Sequence, residues 1–339
     1  MADEAEAGRR PQQVERLEQA ARAAWLYYVG GMTQDEIATE LAISRQAAQR
    51  LVSLAVAEKL IKFRIDHPIA ACMALGEALS ARYGLRSCEV VPSGARDQGL
   101  ASVAVAGARM LERWFAQKAP LVLAVSTGRT LRAIAAELPP LAAPQHKIFS
   151  LCGIIARDGR AIAAEPVMQL AERTGAQCYP MPLPVVVATV AERKLLQSQR
   201  AYHTLRDLYA ESRCMMVGVG HVGWQAPIHA SGCITDAELT ELIEAGAVGE
   251  IAGLAFDQAG RTVAAAINER VTGLAVTARP AGITVGVGAG PAKVPALRGA
   301  LRGRLINALI TDEATAAAIL GEATAPGAAA PSLTKPENF

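Results

Sequence analysis

The chain has 339 residues, and its 34 basic side chains nearly balance 32 acidic ones. That length suits a small module joined to a larger domain with a sizeable core, and the balanced charge excludes a whole-chain electrostatic footprint for nucleic acid. Six scattered cysteines (Cys72, Cys88, Cys152, Cys178, Cys214, Cys233), with no C-x-x-C pair and no clustered histidine, exclude a disulfide framework and a zinc site.

No leader-like N-terminus is present, nor an apolar run near the ~20 residues of a bilayer span, so a soluble cytoplasmic protein with no membrane partner is expected. Residues 1–13 lack apolar periodicity and read as a disordered tail, as does the Ala/Pro-rich stretch 322–339. Between them the chain divides at Pro68 into an all-α unit, 14–65, and a larger one, 66–321. In the first, Leu17, Ala21, Ala24, Trp25 and Tyr28 recur at helical spacing up to Gly30-Gly31.

A short helix, a tight turn and a second helix follow, in MTQDEIATELAISRQAAQRLVSLAVAEKLIK, Met32 to Lys62. Thr33 and Glu36 have the spacing of a capping box, and Ile37, Ala38 and Leu41 form the inward stripe. After the turn Ala42-Ile43, Ser44 caps the second helix. Ala47, Ala48, Leu51 and Ala55 then face inward, and Gln46, Gln49, Arg50 and Ser53 fall on the opposite face. Glutamine pairs with adenine and arginine with guanine in the major groove, so this face suits base reading of double-stranded DNA. An ordinary helix hairpin with a solvated face has the same pattern. From Leu41 to Ile65 five basic residues (Arg45, Arg50, Lys59, Lys62, Arg64) stand against Glu58 alone, the sign needed along phosphates. The expected DNA contacts are Thr33, Gln34, Ser44, Arg45, Gln46, Gln49, Arg50, Ser53 and Lys62. One such module binds weakly, which implies a homo-oligomer.

A helix is expected over about Ile69 to Tyr83, after which apolar strands alternate with amphipathic helices. Strands are expected at Cys88–Val91, Leu121–Val125, Lys147–Leu151, Gln177–Tyr179, Cys214–Val219, Ile251–Phe256, Ile283–Val287 and Leu305–Ile310. Helices lie between most of them, at Leu100–Gln117, Thr130–Leu138, Glu165–Arg173, Gln199–Glu211, Asp236–Ala245 and Asp312–Leu320. The alternation predicts an α/β domain with a mostly parallel sheet, which binds ligands beyond the carboxyl ends of its strands.

Three loops at strand ends carry polar chemistry. Ser126-Thr127-Gly128-Arg129-Thr130 opens into a helix N-terminus, as a cradle for a phosphate or sugar hydroxyls or as a threonine-capped turn. GVGHVG, Gly218 to Gly223, matches G-x-G-x-x-G, but Trp224-Gln225-Ala226-Pro227 follows where a dinucleotide fold needs a helix. GVGAGPAK, Gly286 to Lys293, has Val294 where a Walker A loop places its magnesium-binding hydroxyl, leaving a glycine-rich cradle with one lysine. No cofactor and no metal is expected.

ELIEAGAVGEIAGLAFDQAGR (Glu241 to Arg261), GVGAGPAKVPALRGALRGRLINALITDEATAAAIL (Gly286 to Leu320), AVSTGRTL (Ala124 to Leu131) and TQDEIATELAISR near the N-terminus, taken together, resemble the SorC family of sugar-responsive transcriptional regulators. The resemblance implies a helix-turn-helix domain followed by an effector domain similar to the sugar-phosphate isomerase and deaminase fold, assembled as a homodimer or homotetramer. It also implies an effector site of Ser126, Thr127, Gly128, Arg129 and Thr130 with Glu250 and Lys293, to which Gly153, Gly220, His221 and Asp257 are added as expected neighbours. Ala42 replaces a glycine frequent in the recognition turn, and Lys59 stands where a helix-ending glycine is usual. Cys152-Gly153 offers no basic side chain where phosphate-binding relatives can have one, and the GWQAP loop looks like that of polyol-catabolism regulators. The implied effector is therefore a sugar, polyol or sugar phosphate. A sugar-phosphate isomerase or deaminase carrying an added helical module is the alternative. The deaminases place an aspartate just before the loop histidine and a glutamate before its proline, whereas Gly220 precedes His221 and Ala226 precedes Pro227 here. With both proton-transfer groups lost, no enzyme is expected.

Overall fold

The computed structural model describes residues 2–58, 60–61, 70–94, 99–162, 165–277 and 282–321, with side chains from residue 15 onward. The chain separates into two compact units, residues 1–67 and 68–339.

The first unit holds α1 (Ala2–Tyr28), α2 (Gln34–Glu40) and α3 (Arg45–Ala57). Helix α1 begins at Ala2, so the stretch read as a tail is helical: Ala, Glu, Arg and Gln favour helix even where no apolar stripe marks it. Its inward face also differs from the expected one. Ala20, Ala23 and Ala24 are buried against Ile37, Ala48, Val52 and Ala55, whereas Trp25 and Tyr28 are exposed. Alanines let the helices approach closely, and the larger aromatic rings stay outside that contact. The capping box is formed, with Thr33 N donating to Glu36 Oε2 at 2.7 Å and Glu36 N donating back to Thr33 Oγ1. Ser44 Oγ accepts from Ala47 N at 3.1 Å. Between the helices Ala42 takes φ +53°, a left-handed conformation that a residue with a Cβ adopts at a cost of about 1–2 kcal/mol. Ala42→Gly is therefore expected to raise the unfolding free energy by about 1 kcal/mol, read from the denaturant midpoint at unchanged slope.

The second unit contains α4 (Ala70–Tyr83), β1 (Ser87–Val91), α5 (Leu100–Phe115), β2 (Val122–Val125), α6 (Arg129–Glu137), β3 (Lys147–Ser150), α7 (Val167–Thr174), β4 (Gln177–Tyr179), α8 (Val190–Gln197), α9 (Arg200–Glu211) and β5 (Cys214–Gly218). It continues through β6 (Gly220–His221), α10 (Pro227–Ala230), α11 (Asp236–Glu244), β7 (Gly249–Ile251), β8 (Leu254–Phe256), β9 (Ile283–Val287), α12 (Val294–Arg302), β10 (Ala308–Asp312) and α13 (Glu313–Leu320). Seven strands make one all-parallel sheet in the order β1-β10-β9-β5-β2-β3-β4.

The period-two alternation of side chains divides the interior into two cores. Leu123, Val125, Met216 and Ile310 pack with α5, α6 and α7, while Ala124, Met215, Val217 and Leu309 pack with α4, α9, α12 and α13. Helices on both faces leave the strand ends as the accessible backbone, as expected for a parallel sheet.

The segment Ile251–Phe256 departs from expectation. It is not a strand of the parallel sheet but the turn and second arm of a hairpin, β7-β8, in a separate antiparallel sheet β6-β7-β8. Ala252 and Gly253 lie between paired Ile251 and Leu254, with φ +54° and +87°, the twist that a two-residue hairpin turn needs. This small sheet and α11 enclose a third core around Val222, Leu239, Leu242 and Ala255. Among the described residues, no helix is long and apolar enough to cross a membrane, and no group of His, Cys, Asp and Glu could hold a metal ion.

Candidate functional site

Strand β2 lies between β3 and β5, so the chain leaves it toward one sheet edge while the strands on its other side continue toward the opposite edge. The loops after β2 and β5 part at that point, opening a crevice at the carboxyl ends, where doubly wound sheets bind ligands. A cavity of about 410 Å³ occupies it. Thr127, Gly128, Arg129 and Thr130 line it from the loop after β2 and Gly218 and Gly220 from the end of β5 onward, with Glu250 and Lys293 held beside Gly220 and Val219. All but Gly218 were expected from the sequence and the family resemblance, and the fold places these seven on one cavity. Ile162, Val185 and Ile228 add an apolar side, and Gln225, Ser231 and Cys233 bring polar groups not expected there. Their sequence signal is position alone: Gln225 lies within the unusual GWQAP loop, and Ser231 and Cys233 follow shortly after it.

Glycine starts α6, and no side chain caps it, so its first backbone N–H groups remain donors at the cavity wall. Thr127 is held by Cys152: its N–H donates to the sulfur, and the thiol donates to its Oγ1, both at 3.3 Å. Burial pushes the Cys152 thiol up to about 12, so it serves as a packing group and not as a nucleophile.

Lys293 Nζ donates to Val219 O at 2.8 Å, and Glu250 Oε2 accepts from Gly253 N at 2.9 Å. Burial raises the Glu250 carboxyl, against the pull of the Gly253 N–H and of Lys293. Burial likewise lowers Lys293, against the pull of Glu250. Each thus favours the charged form of the other in a site whose burial disfavours both charges. A Cβ on Gly220 would overlap the Glu250 carboxylate, so β6 must present glycine for that carboxylate to lie where it does.

Four expected residues stand differently. Ser126 is 1% exposed, and its Oγ accepts from Gly218 N at 3.0 Å, tying the ends of β2 and β5 from behind the cavity wall. Gly153 is packed against the Leu183–Pro184 backbone, which leaves no room for a Cβ, and it does not line the cavity. Asp257 closes its own turn, accepting from Ala259 N at 2.8 Å and Arg261 N at 2.9 Å while pairing with the Arg261 guanidinium. His221 is not in the cavity wall either. Burial, then the charges of Lys293 and Arg129, bring it down to about 4, and its Nδ1 is buried with no hydrogen-bond partner.

That histidine has a measurable consequence. In the unfolded chain it protonates near its ordinary 6.5, but in the folded chain only near 4. Acidification between those values therefore protonates the unfolded chain first and lowers stability, an effect absent above the upper value. Glu250, raised in the folded chain, acts oppositely on acidification toward its ordinary value. His221→Gln is expected to flatten the acid-side fall of the melting temperature; an unchanged slope in thermal melts between pH 6.5 and 4 would count against the assignment.

In the first unit, Gln46, Gln49, Arg50 and Ser53 are all exposed along α3. Arg50 Nε donates to Gln46 O at 3.3 Å, which holds the guanidinium against its own helix. Arg45 and Asp35 lie 3.5 Å apart, both well exposed, a weak pairing that leaves Arg45 able to turn outward. Thr33 and Ser44 stand at the helix N-termini as caps, Gln34 opens α2, and Lys62 lies outside the described residues, as do Lys59 and Arg64.

The Sugar-bind family model, a sugar-binding domain, matches residues 67–321. Among curated proteins, the chain is 34% identical over 305 residues to the erythritol catabolism regulatory protein EryD of Brucella abortus, covering 89% of this chain and 96% of the relative. It is 28% identical over 312 residues to the deoxyribonucleoside regulator of Bacillus subtilis, covering 91% and 99%. Among solved structures, the full-length sorbitol operon regulator SorC from Klebsiella pneumoniae shares the fold, with a TM-score of 0.67 and 22% identity over 90% of this chain and 99% of that one. A domain of a sugar-binding transcriptional regulator from Arthrobacter aurescens aligns with a TM-score of 0.67 at 25% identity, over 75% of this chain and 99% of that one. With the helix-turn-helix, the switch-point cavity and these likenesses together, the chain belongs to the SorC family of sugar-binding transcriptional regulators.

Proposed function

We propose that this protein is a DNA-binding regulator of a carbohydrate or polyol catabolic operon, and that a sugar, polyol or sugar phosphate in the switch-point cavity sets its affinity for operator DNA. The observation that carries the reading is one cavity lined by Glu250, Lys293 and the uncapped N-terminus of α6. A carboxylate accepts from vicinal hydroxyls, and an ammonium and backbone N–H groups donate to them, which is the donor and acceptor set of a polyhydroxylated ligand. The relative at 34% identity is named for erythritol catabolism, which supports the polyol end of that range. An anionic ligand would have only Arg129 and the α6 N-terminus as a counter-charge not already shared with Glu250.

A single helix-turn-helix makes few phosphate contacts, so we read the working species as a homodimer or homotetramer on a pseudo-palindromic site, in the cytoplasm. We read it as non-catalytic, because Gly220 before His221 and Ala226 before Pro227 leave no proton-transfer carboxylate in that loop.

The test is binding of the full chain to DNA from its own promoter, with and without a panel of polyols, sugars and their phosphates. At least one compound should change the affinity. Arg50→Ala should weaken specific binding by about 1–3 kcal/mol while leaving binding to unrelated DNA nearly unchanged. Equal operator affinity of the wild type and this variant would overturn α3 as the recognition helix, and turnover of a sugar phosphate would restore the enzyme alternative.

A further inference from the structure

One wall of the effector cavity is a turn and not a strand end. Gln225, Pro227, Ile228, Ala230 and Ser231 line the cavity from the short α10 and its flanks, and Cys233 follows them. The described backbone hydrogen bonds of that turn close within it: Ala226 N donates to Gly223 O, Ala230 N to Ala226 O, Ser231 N to Pro227 O and Gly232 N to His229 O. A turn bonded to itself keeps its shape, but its position against the rest of the unit is set by side chains.

His229 does not line the cavity, and its side chain is only 17% exposed. Its ring nitrogens face oxygens on two different elements. Nδ1 lies 3.1 Å from Trp224 O, at the start of the turn, and Nε2 lies 2.9 Å from Asp236 Oδ1, in the first turn of α11. A carbonyl oxygen and a carboxylate both accept, so each nitrogen donates and the ring bridges the turn to α11. The Trp224 ring meets it edge to face, with centroids 5.5 Å apart, and Trp224 packs in turn on the third core. A histidine that only closed its own turn would need the Trp224 bond alone; the Asp236 bond reaches another helix.

We propose that His229 is a positioning residue for the effector: by bridging Trp224 O to Asp236 it holds Gln225 and Ile228 against the ligand's space. The proposal rests on reading this cavity as the effector site. The Gln225 amide offers a ligand both a donor and an acceptor, and Ile228 offers an apolar side, so displacement of the turn withdraws both together. Cys233 reports the position of the turn. Its thiol is buried, accepts from Ser231 Oγ at 3.2 Å and is pushed up by burial, so it reacts slowly while the turn stays in place.

The test is alkylation of the full chain by iodoacetamide, without effector, followed at each cysteine by mass spectrometry. His229→Phe keeps a ring beside Trp224 and removes both bonds. It should speed alkylation of Cys233 at least fivefold, with Cys72, buried in α4, unchanged. Asp236→Ala should give a similar rise, Asp236→Asn, whose amide oxygen still accepts, a smaller one, and His229→Phe combined with Asp236→Ala no more than either alone. In the promoter assay, His229→Phe should need at least fivefold more of the compound that shifts operator binding. Wild-type reactivity of Cys233 in His229→Phe, an equal rise at Cys72, additive effects in the double variant, or an unchanged compound requirement would each overturn the proposal, the second by showing a loosened fold in place of a moved wall. The alkylation involves no effector, so it can fail while the panel still changes operator affinity; a panel without any response would overturn the operator reading instead.

Discussion

Lys293→Met should lower affinity for the effector by about two orders of magnitude, roughly 3 kcal/mol, in calorimetry with whichever polyol or sugar the promoter assay identifies. The lysine holds two groups in place: its ammonium donates to Val219 O at 2.8 Å, and its charge keeps the buried Glu250 carboxyl from rising further. Without it, the Glu250 carboxyl rises further and its protonated form is favoured. One of the cavity's acceptors then becomes a donor, and a ligand hydroxyl that donated to it is left unpaired. Folding should survive, because a protonated carboxyl removes the penalty of an unpaired buried charge. The same logic predicts that the variant regains part of its affinity as pH rises and Glu250 ionises again. Wild-type affinity in Lys293→Met would remove the lysine from the ligand's environment. Apo-protein affinity for nonspecific DNA should not change, since Lys293 belongs to the second compact unit and α3 to the first.

The parallel sheet was legible because its central strands are buried on both faces and so read as short apolar runs between helices. Register errors at those strands are small: Cys214–Val219 ends one residue late, and Leu305–Ile310 begins three residues early. The run GEIAGLAF was misleading for the same reason, since an apolar run hides a reversal. Its turn depends on Ala252 adopting a left-handed conformation, for which alanine gives no signal. Ala42 in the helix-turn-helix is also left-handed, but there the flanking caps and helical stripes placed the turn correctly at Ala42-Ile43. Helix α12 had no place among the expected elements; its Pro295 is in the first turn, where a missing N–H forfeits nothing. In the site, residues within one loop after one strand could be grouped from sequence, as Thr127 to Thr130 were. Their relation to Glu250 and Lys293 came only with the family resemblance, because it depends on which strands are neighbours. Gly153 and Asp257 are polar-loop positions whose chemistry is spent locally, on backbone packing and on a turn.

Gly220→Ala should abolish the effector response more completely than removal of any one polar contact. Gly220 pairs with Glu250 across β6 and β7, and a methyl group built on it overlaps Glu250 Oε1 and crowds Cδ and Cγ behind it. The carboxylate cannot retreat freely, because Oε2 accepts from Gly253 N in the hairpin turn. Either that bond breaks and Glu250 swings into the cavity, or β6 shifts and carries His221 with it. In the first case the ligand's space is filled. In the second, the Val219 carbonyl that holds Lys293 moves as well, since Val219 immediately precedes the strand. Overpacking of this kind costs about 1–3 kcal/mol of stability, so the variant should melt lower yet remain folded. Glu250→Gln provides the comparison: it has nearly the same shape, loses the charge, and should weaken the ligand without the loss of melting temperature. A Gly220→Ala protein that binds the effector like wild type would show that the carboxylate is free to leave its position, and that the ligand does not depend on it.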